Sequence, residues 1–173
     1  MLPYLQNLFQ ALDFASMWDA LLRVAAIFLC LTVHESCHGL AALALGDPTA
    51  KSMHRLSLNP LRHIDWFGLL MMITVGFGWA KPVPVSTRNF KSPRKDELIV
   101  SLAGITVNLI LGVAFMIIWI VLICLPWSNE ILNTMVQYCY TINFGLAVFN
   151  LLPIPPLDGY HVAQCLFMNA KTY

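Results

Sequence analysis

The chain has 173 residues, of which 58% are hydrophobic and 11% charged, with a formal net charge of +1. Soluble domains carry about 25% charged residues, so this composition excludes an ordinary soluble fold and points to one membrane-embedded domain, residues 1–173. The net charge says nothing about nucleic acid, and with no basic stripe interleaved with aromatics no nucleic-acid partner is expected.

In chain order, residues 1–15 space Leu2, Leu5, Leu8, Phe9 and Leu12 among polar residues. That pattern suits an amphipathic helix lying in the membrane interface, and a loosely ordered tail suits it equally. No basic region precedes the first apolar run, so no cleavable signal is expected. Ser16, as N-cap, and Asp19 are expected to open a helix over residues 17–45, stopped by Gly46-Asp47-Pro48. Residues 64–85 hold a short apolar run interrupted by Gly68, Gly76 and Gly78, with basic residues on both flanks. Like flanks predict a re-entrant or extended segment, such as a β-hairpin, that returns to the side it left. A short spanning helix is the alternative. Asp96-Glu97 should start a span over residues 98–125, stopped by Pro126, and residues 131–152 form the next. Ala103-Gly104 is a small patch that lets another helix come close, and Asn108 suits a hydrogen bond across that contact. Residues 153–173 hold a proline-rich stretch and the start of a further helix, too short to span. The expected fold is an α-helical integral membrane protein with a three-helix transmembrane core.

The first of these helices carries His34-Glu35-Ser36-Cys37-His38. Positions i and i+4 share a helix face, so both imidazoles can reach one metal ion. Glu35 points about 100° around the helix from His34, which sets a carboxylate beside the metal without making it a ligand. This is the pattern of a zinc hydrolase, with Glu35 as the base that takes a proton from water. Ionisable groups at membrane depth cost about 2.5–3.5 kcal/mol each on insertion scales, which favours a functional reading over an inert polar network. The five cysteines form no CxxC pair, and Cys37 should face away from the metal side.

Eight of the ten Lys and Arg lie between Lys51 and Lys95, which places that segment in the cytoplasm. Three spans then bring Asn150-Leu-Leu-Pro-Ile-Pro-Pro-Leu-Asp-Gly159 to the cytoplasmic side, level with the later part of the first helix. A catalytic zinc wants three protein ligands and an open position, and Asp158 is the remaining candidate. A turn or helix N-cap is the plain alternative for Asp158. Asn150 either donates to a substrate oxyanion or carbonyl, or makes an interhelical hydrogen bond.

Together these residues resemble the site-2 protease family of intramembrane zinc metalloproteases, closest to its small prokaryotic members. The resemblance runs from about His34 to His161. It includes Ser57-Leu58-Asn59-Pro60-Leu61, His63-Ile64-Asp65, Gly78 to Val85 and Ala103-Gly104. It implies Zn2+ held by His34, His38 and Asp158, Glu35 as the catalytic base, and Asn150 helping to place the substrate. It also implies a partly β linking segment. Two positions depart from the family pattern: Ile105 and Trp66 stand where proline is common. No flanking spans like those of larger members are read, which leaves a minimal core or a shortened chain.

The implied function is a zinc-dependent intramembrane endopeptidase in a prokaryotic inner or plasma membrane, with its site towards the cytoplasm. Its partners would be the lipid bilayer and a transmembrane protein substrate, with a homo-oligomer left open. The alternative is a catalytically inactive membrane binder that keeps the fold, its metal absent or structural.

Overall fold

The structure, a computed structural model, describes residues 14–75, 78–126 and 129–167. The expectations for residues 1–13 and 168–173 therefore lie outside the described residues. Among the described residues six α-helices carry the fold: α1 (Phe14–Ala44), α2 (Thr49–Ser52), α3 (Trp66–Val75), α4 (Pro93–Ile123), α5 (Glu130–Asn150) and α6 (Asp158–Phe167). Single 3-10 turns at Pro60–Arg62 and Thr87–Asn89 complete the list. No strand occurs among the described residues.

α4 is the centre of the molecule and packs against α1, α5 and α6, while α1 also packs on α5. Towards one end, Ala26 and Cys30 of α1 meet Cys139 of α5, with Phe115, Met135 and Ile142 around them. Towards the other, Ala42 of α1 packs on Phe90 and on Val100 of α4. The rest of α4 turns outward. Only 17% of its most apolar stretch is buried inside the protein, and Ile110, Ile117, Val121 and their neighbours lie exposed. In water that surface would be costly; in hydrocarbon it is the ordinary lipid-facing side of a span. α1 and α4 are both long and apolar enough to cross a bilayer, and the protein is a membrane protein. α5 is 21 residues long, but Asn133, Gln137, Asn143 and Asn150 lower its hydropathy and it does not join those two.

Helix ends follow local chemistry. Gly46 takes φ +103°, open to glycine without a Cβ clash, and Asp47 N–H donates to Ala42 O at 2.9 Å to close α1. Asp47 is fully buried. Its carboxylate accepts from Ser86 N–H at 2.7 Å, from Asn89 Nδ2 at 2.7 Å, and from the Thr49 hydroxyl and N–H. One side chain thus ties the end of α1 to the chain entering α4.

Three expectations are corrected. Ser16 lies inside α1, which already includes Phe14, so it is not the N-cap. α4 starts at Pro93, not at Asp96: Ser92 is its N-cap residue, proline suits the first helical position, and Asp96 Oδ2 accepts Ser92 N–H at 2.9 Å. Within residues 64–85, Trp66–Val75 is a helix, where the re-entrant segment was expected to be extended or a β-hairpin and a short helix was the alternative. Asp65 starts it by accepting Gly68 N–H at 2.8 Å. Gly68 does not break this helix; a Cβ there would lie 2.2 Å from Trp79 O, so the glycine lets the returning chain lie against α3.

Candidate metal centre

The centre begins with the helical repeat of α1. His34 and His38 sit one turn apart, both buried, with Nε2 atoms 3.0 Å from each other. Their rings meet edge to face, 4.6 Å between centroids. α4 forms the wall behind them through three residues spaced i, i+4, i+8. Val100 O accepts from His38 Nδ1 at 2.7 Å. A Cβ on Gly104 would stand 2.4 Å from His38 Nε2 and 2.6 Å from His34 Cε1. Asn108, fully buried, places its amide 3.0 Å from His34 Nδ1.

Asp158 arrives from the far end of the chain. The proline-rich stretch after α5 turns the backbone, and Asp158 opens α6 with Oδ2 3.2 Å from both His34 Nε2 and His38 Nε2. Gly159 makes the turn tight enough, since a Cβ there would be 2.4 Å from Leu151 O. α6 is held on α4 by Arg94, which donates to Cys165 O and, at 3.2 Å, to Leu166 O. His161 Nδ1 stands 3.2 Å from Glu97 Oε1 and adds a second tie.

Glu35 lies beside this cluster, not within it. Its Oε2 accepts Val83 N–H at 2.8 Å, from the chain that returns past α3. That chain is itself fastened to α1. Ser36 Oγ donates to Ser57 O at 3.1 Å, buried His63 Nε2 reaches the same carbonyl at 2.8 Å, and Lys81 N–H donates to His63 O at 2.8 Å. Asn150 is not in the cluster. Its Nδ2 donates back to Leu146 O on its own helix at 3.0 Å, neither of the two partners expected for it. Cys37 opens onto an apolar groove with Leu40, Ile99 and Leu102, away from the imidazoles.

Over 150 residues, covering 83% of this chain and 68% of the relative, the sequence is 41% identical to a Bacillus subtilis (strain 168) protein named "Putative zinc metalloprotease YwhC". The chain belongs to Peptidase family M50. The family model itself matches residues 125–172. Two mycobacterial relatives, each named "Putative zinc metalloprotease Rip2", agree: 30% identity over 81% of this chain in Mycolicibacterium smegmatis, and 31% over 87% in Mycobacterium tuberculosis H37Rv. The chain spans 55% and 58% of those two proteins. No solved structure matches it. M50 enzymes are metalloproteases whose cofactor is zinc.

The donor set fits that cofactor. His34, His38 and Asp158 each offer one ligand atom, all within 4.8 Å of one another. Val100 O can only accept, so His38 carries its proton on Nδ1 and turns a bare Nε2 to the cluster. Asp158 Oδ2 is sealed from solvent and makes no hydrogen bond. A buried carboxylate oxygen without a donor, facing two imidazole nitrogens, calls for a cation. The separations of 3.0–3.2 Å approach those of ligands around one ion. Tetrahedral zinc with bonds of about 2.0–2.2 Å has ligands roughly 3.3–3.6 Å apart. Two nitrogens and one oxygen leave the open position that a catalytic site needs.

The sequence pattern marked the three ligand candidates and Glu35. It also marked Gly104 and Asn108, but only as helix packing, and it missed Val83 and the carbonyl of Val100. Backbone groups carry no residue signature. The spacing of Val100, Gly104 and Asn108 along one face of an otherwise apolar helix was the available clue.

Proposed function

We propose that this chain is a zinc-dependent intramembrane endopeptidase that cuts peptide bonds in or near transmembrane segments of other proteins. The observation that carries the proposal is the convergence of His34, His38 and Asp158 from opposite ends of the chain, with Glu35 alongside. His34, His38 and Asp158 hold the metal. When bound, zinc supplies a Lewis acid that polarises a carbonyl and lowers the pKa of water. Glu35 accepts the proton of the attacking water and gives it to the leaving amine. Asn150 supports the substrate carbonyl or its oxyanion after swinging off Leu146 O.

A helical substrate hides its carbonyls, so it must unwind to be cut. The chain around Val83 offers an extended edge beside Glu35, and strand addition there would hold the unwound segment. α1, α4 and α5 form the three-span core. α5 qualifies through its packing, since Asn143 turns inward to donate to Cys139 O at 2.8 Å and spends its polarity away from lipid. α3, ten residues or about 15 Å long, dips into one leaflet and returns. The basic residues between Lys51 and Lys95 face the cytoplasm, which sets the site near that side. Residues 1–173 then form one protease domain.

The test uses purified protein in detergent with a single-span substrate. Glu35→Gln should lower cleavage by about 10²–10⁴-fold while zinc content is retained. His34→Ala should lose both. Unaltered cleavage by Glu35→Gln would remove Glu35 from the chemistry. Protein without zinc would instead favour an inactive membrane binder.

A further inference from the structure

His34 and His38 point their Nε2 atoms at the same place but are supported differently from behind. His38 Nδ1 faces a backbone carbonyl, which can only accept, so its tautomer is fixed with Nε2 bare. His34 Nδ1 faces the Asn108 side chain, which has a donor end and an acceptor end. The two ends of an amide are almost identical in shape, so hydrogen-bond chemistry decides which one faces a partner.

With Nδ2 at 3.0 Å from His34 Nδ1, that ring nitrogen accepts and the ring proton moves to Nε2. Nε2–H would then point into the space shared with His38 Nε2 at 3.0 Å and Asp158 Oδ2 at 3.2 Å, where a cation belongs. Asn108 Oδ1 is buried with no donor in this arrangement, inside a residue with no solvent exposure at all, and it is the space shared with His38 and Asp158 that decides which end of the amide faces His34. Turning the amide end for end gives that oxygen the Nδ1–H of His34 and bares Nε2.

We infer that the Asn108 carbonyl oxygen accepts from His34 Nδ1–H and so fixes His34 in the tautomer whose Nε2 is free to bind zinc. Asn108 is thus a positioning residue. It acts through His34, as Val100 O acts through His38. The two acceptors stand eight residues apart on one face of α4, with Gly104 midway leaving room for both rings. The inference rests on the zinc reading of the site, and its first test needs no metal.

In metal-free, full-length protein labelled with ¹⁵N-histidine, ring nitrogen shifts at neutral pH read the tautomer directly, with His34→Ala assigning the signal. His34 should be protonated on Nδ1 and bare on Nε2 in the unaltered protein and in Asn108→Asp, which keeps an acceptor. In Asn108→Leu, of similar size but without an acceptor, the two tautomers should mix. Zinc affinity, measured by competition with a chelating dye, should fall roughly 10- to 100-fold in Asn108→Leu, as for other outer-shell changes. Asn108→Asp should stay within about threefold of the unaltered protein, or bind more tightly, because a carboxylate is the stronger acceptor. His34 bare on Nδ1 in the unaltered protein would overturn the inference and leave the zinc reading standing. So would Asn108→Asp binding zinc as weakly as Asn108→Leu. Absence of zinc binding by the unaltered protein, with Nδ1 protonated, would overturn the ligand assignment instead and leave the tautomer established.

Discussion

His34 and His38 stand one turn apart in an unbroken 31-residue helix, each backed by a group on α4. Asp158 stands in the first turn of a ten-residue helix, behind a proline-rich break. The first pair takes its geometry from the helical repeat, so local backbone bonds alone nearly fix the separation of the imidazoles. The third group has no such support. It reaches the same point through the tight turn at Gly159 and through Arg94 and Glu97, at the start of α4, which hold α6 in place. A metal site can therefore be half local and half tertiary, with one helix serving both halves: α4 backs the histidines with its middle and clamps α6 with its first turns.

The largest effect should come where the two halves meet. Gly104→Ala puts a methyl group 2.4 Å from His38 Nε2, with α1 and α4 unable to separate cheaply. Overpacking of this kind costs about 1–3 kcal/mol, so zinc affinity in a dye competition should fall roughly tenfold or more. Gly145→Ala, on α5 with nothing within 4 Å, is the control. It should leave zinc binding unchanged and raise stability by about 0.5–1 kcal/mol, because alanine loses less backbone entropy than glycine on forming helix. Equal effects from both substitutions would remove the special role of the α1–α4 contact.

A middle-sized effect should follow from loosening the tertiary half alone. Arg94→Ala removes donors to two terminal carbonyls of α6 and should cost about 1–2 kcal/mol of local docking. Cleavage should drop several-fold, and hydrogen exchange should rise in α6 while α1 stays protected. Exchange rising equally in α1 would show that the halves are one cooperative unit.

The smallest effect concerns Asp47, remote from the imidazoles. Burial pushes its carboxyl up, but Ser86 N–H, the Thr49 hydroxyl and the Asn89 amide outweigh that and hold it below the ordinary value of 3.8. A carboxyl lowered on folding stabilises the protein above its unfolded pKa, and that contribution is lost as pH falls through the folded value. Thermal stability in detergent should be flat at neutral pH and decline below about pH 4. Asp47→Asn should be less stable at pH 7 and show a shallower decline. An unchanged acid profile would assign the loss to other carboxyls.

Much of this was legible in the chain. The two histidines and Glu35 follow from residue spacing on a helix, and the stop at Gly46 follows from its freedom at positive φ. The three long helices were legible from hydropathy to within about five residues. α3 was read as an extended or re-entrant segment because basic residues flank it on both sides, a pattern that a short helix shares, and Gly68, noted as an interruption, serves a close approach to Trp79. Asn150 matched its motif, yet its amide is turned onto its own helix. Glycines and amides answer to neighbours that residue order does not show.

The sequence by itself determined the membrane class, the long helices and the candidate donor types, because periodicity, hydropathy and donor chemistry are properties of short stretches. Only the tertiary structure decided that Asp158 meets the two imidazoles, that Val83 holds Glu35, and that Val100, Gly104 and Asn108 form the wall behind the histidines. Those contacts join residues between 48 and 124 positions apart, roughly. They depend on how whole helices pack, and no local pattern encodes that.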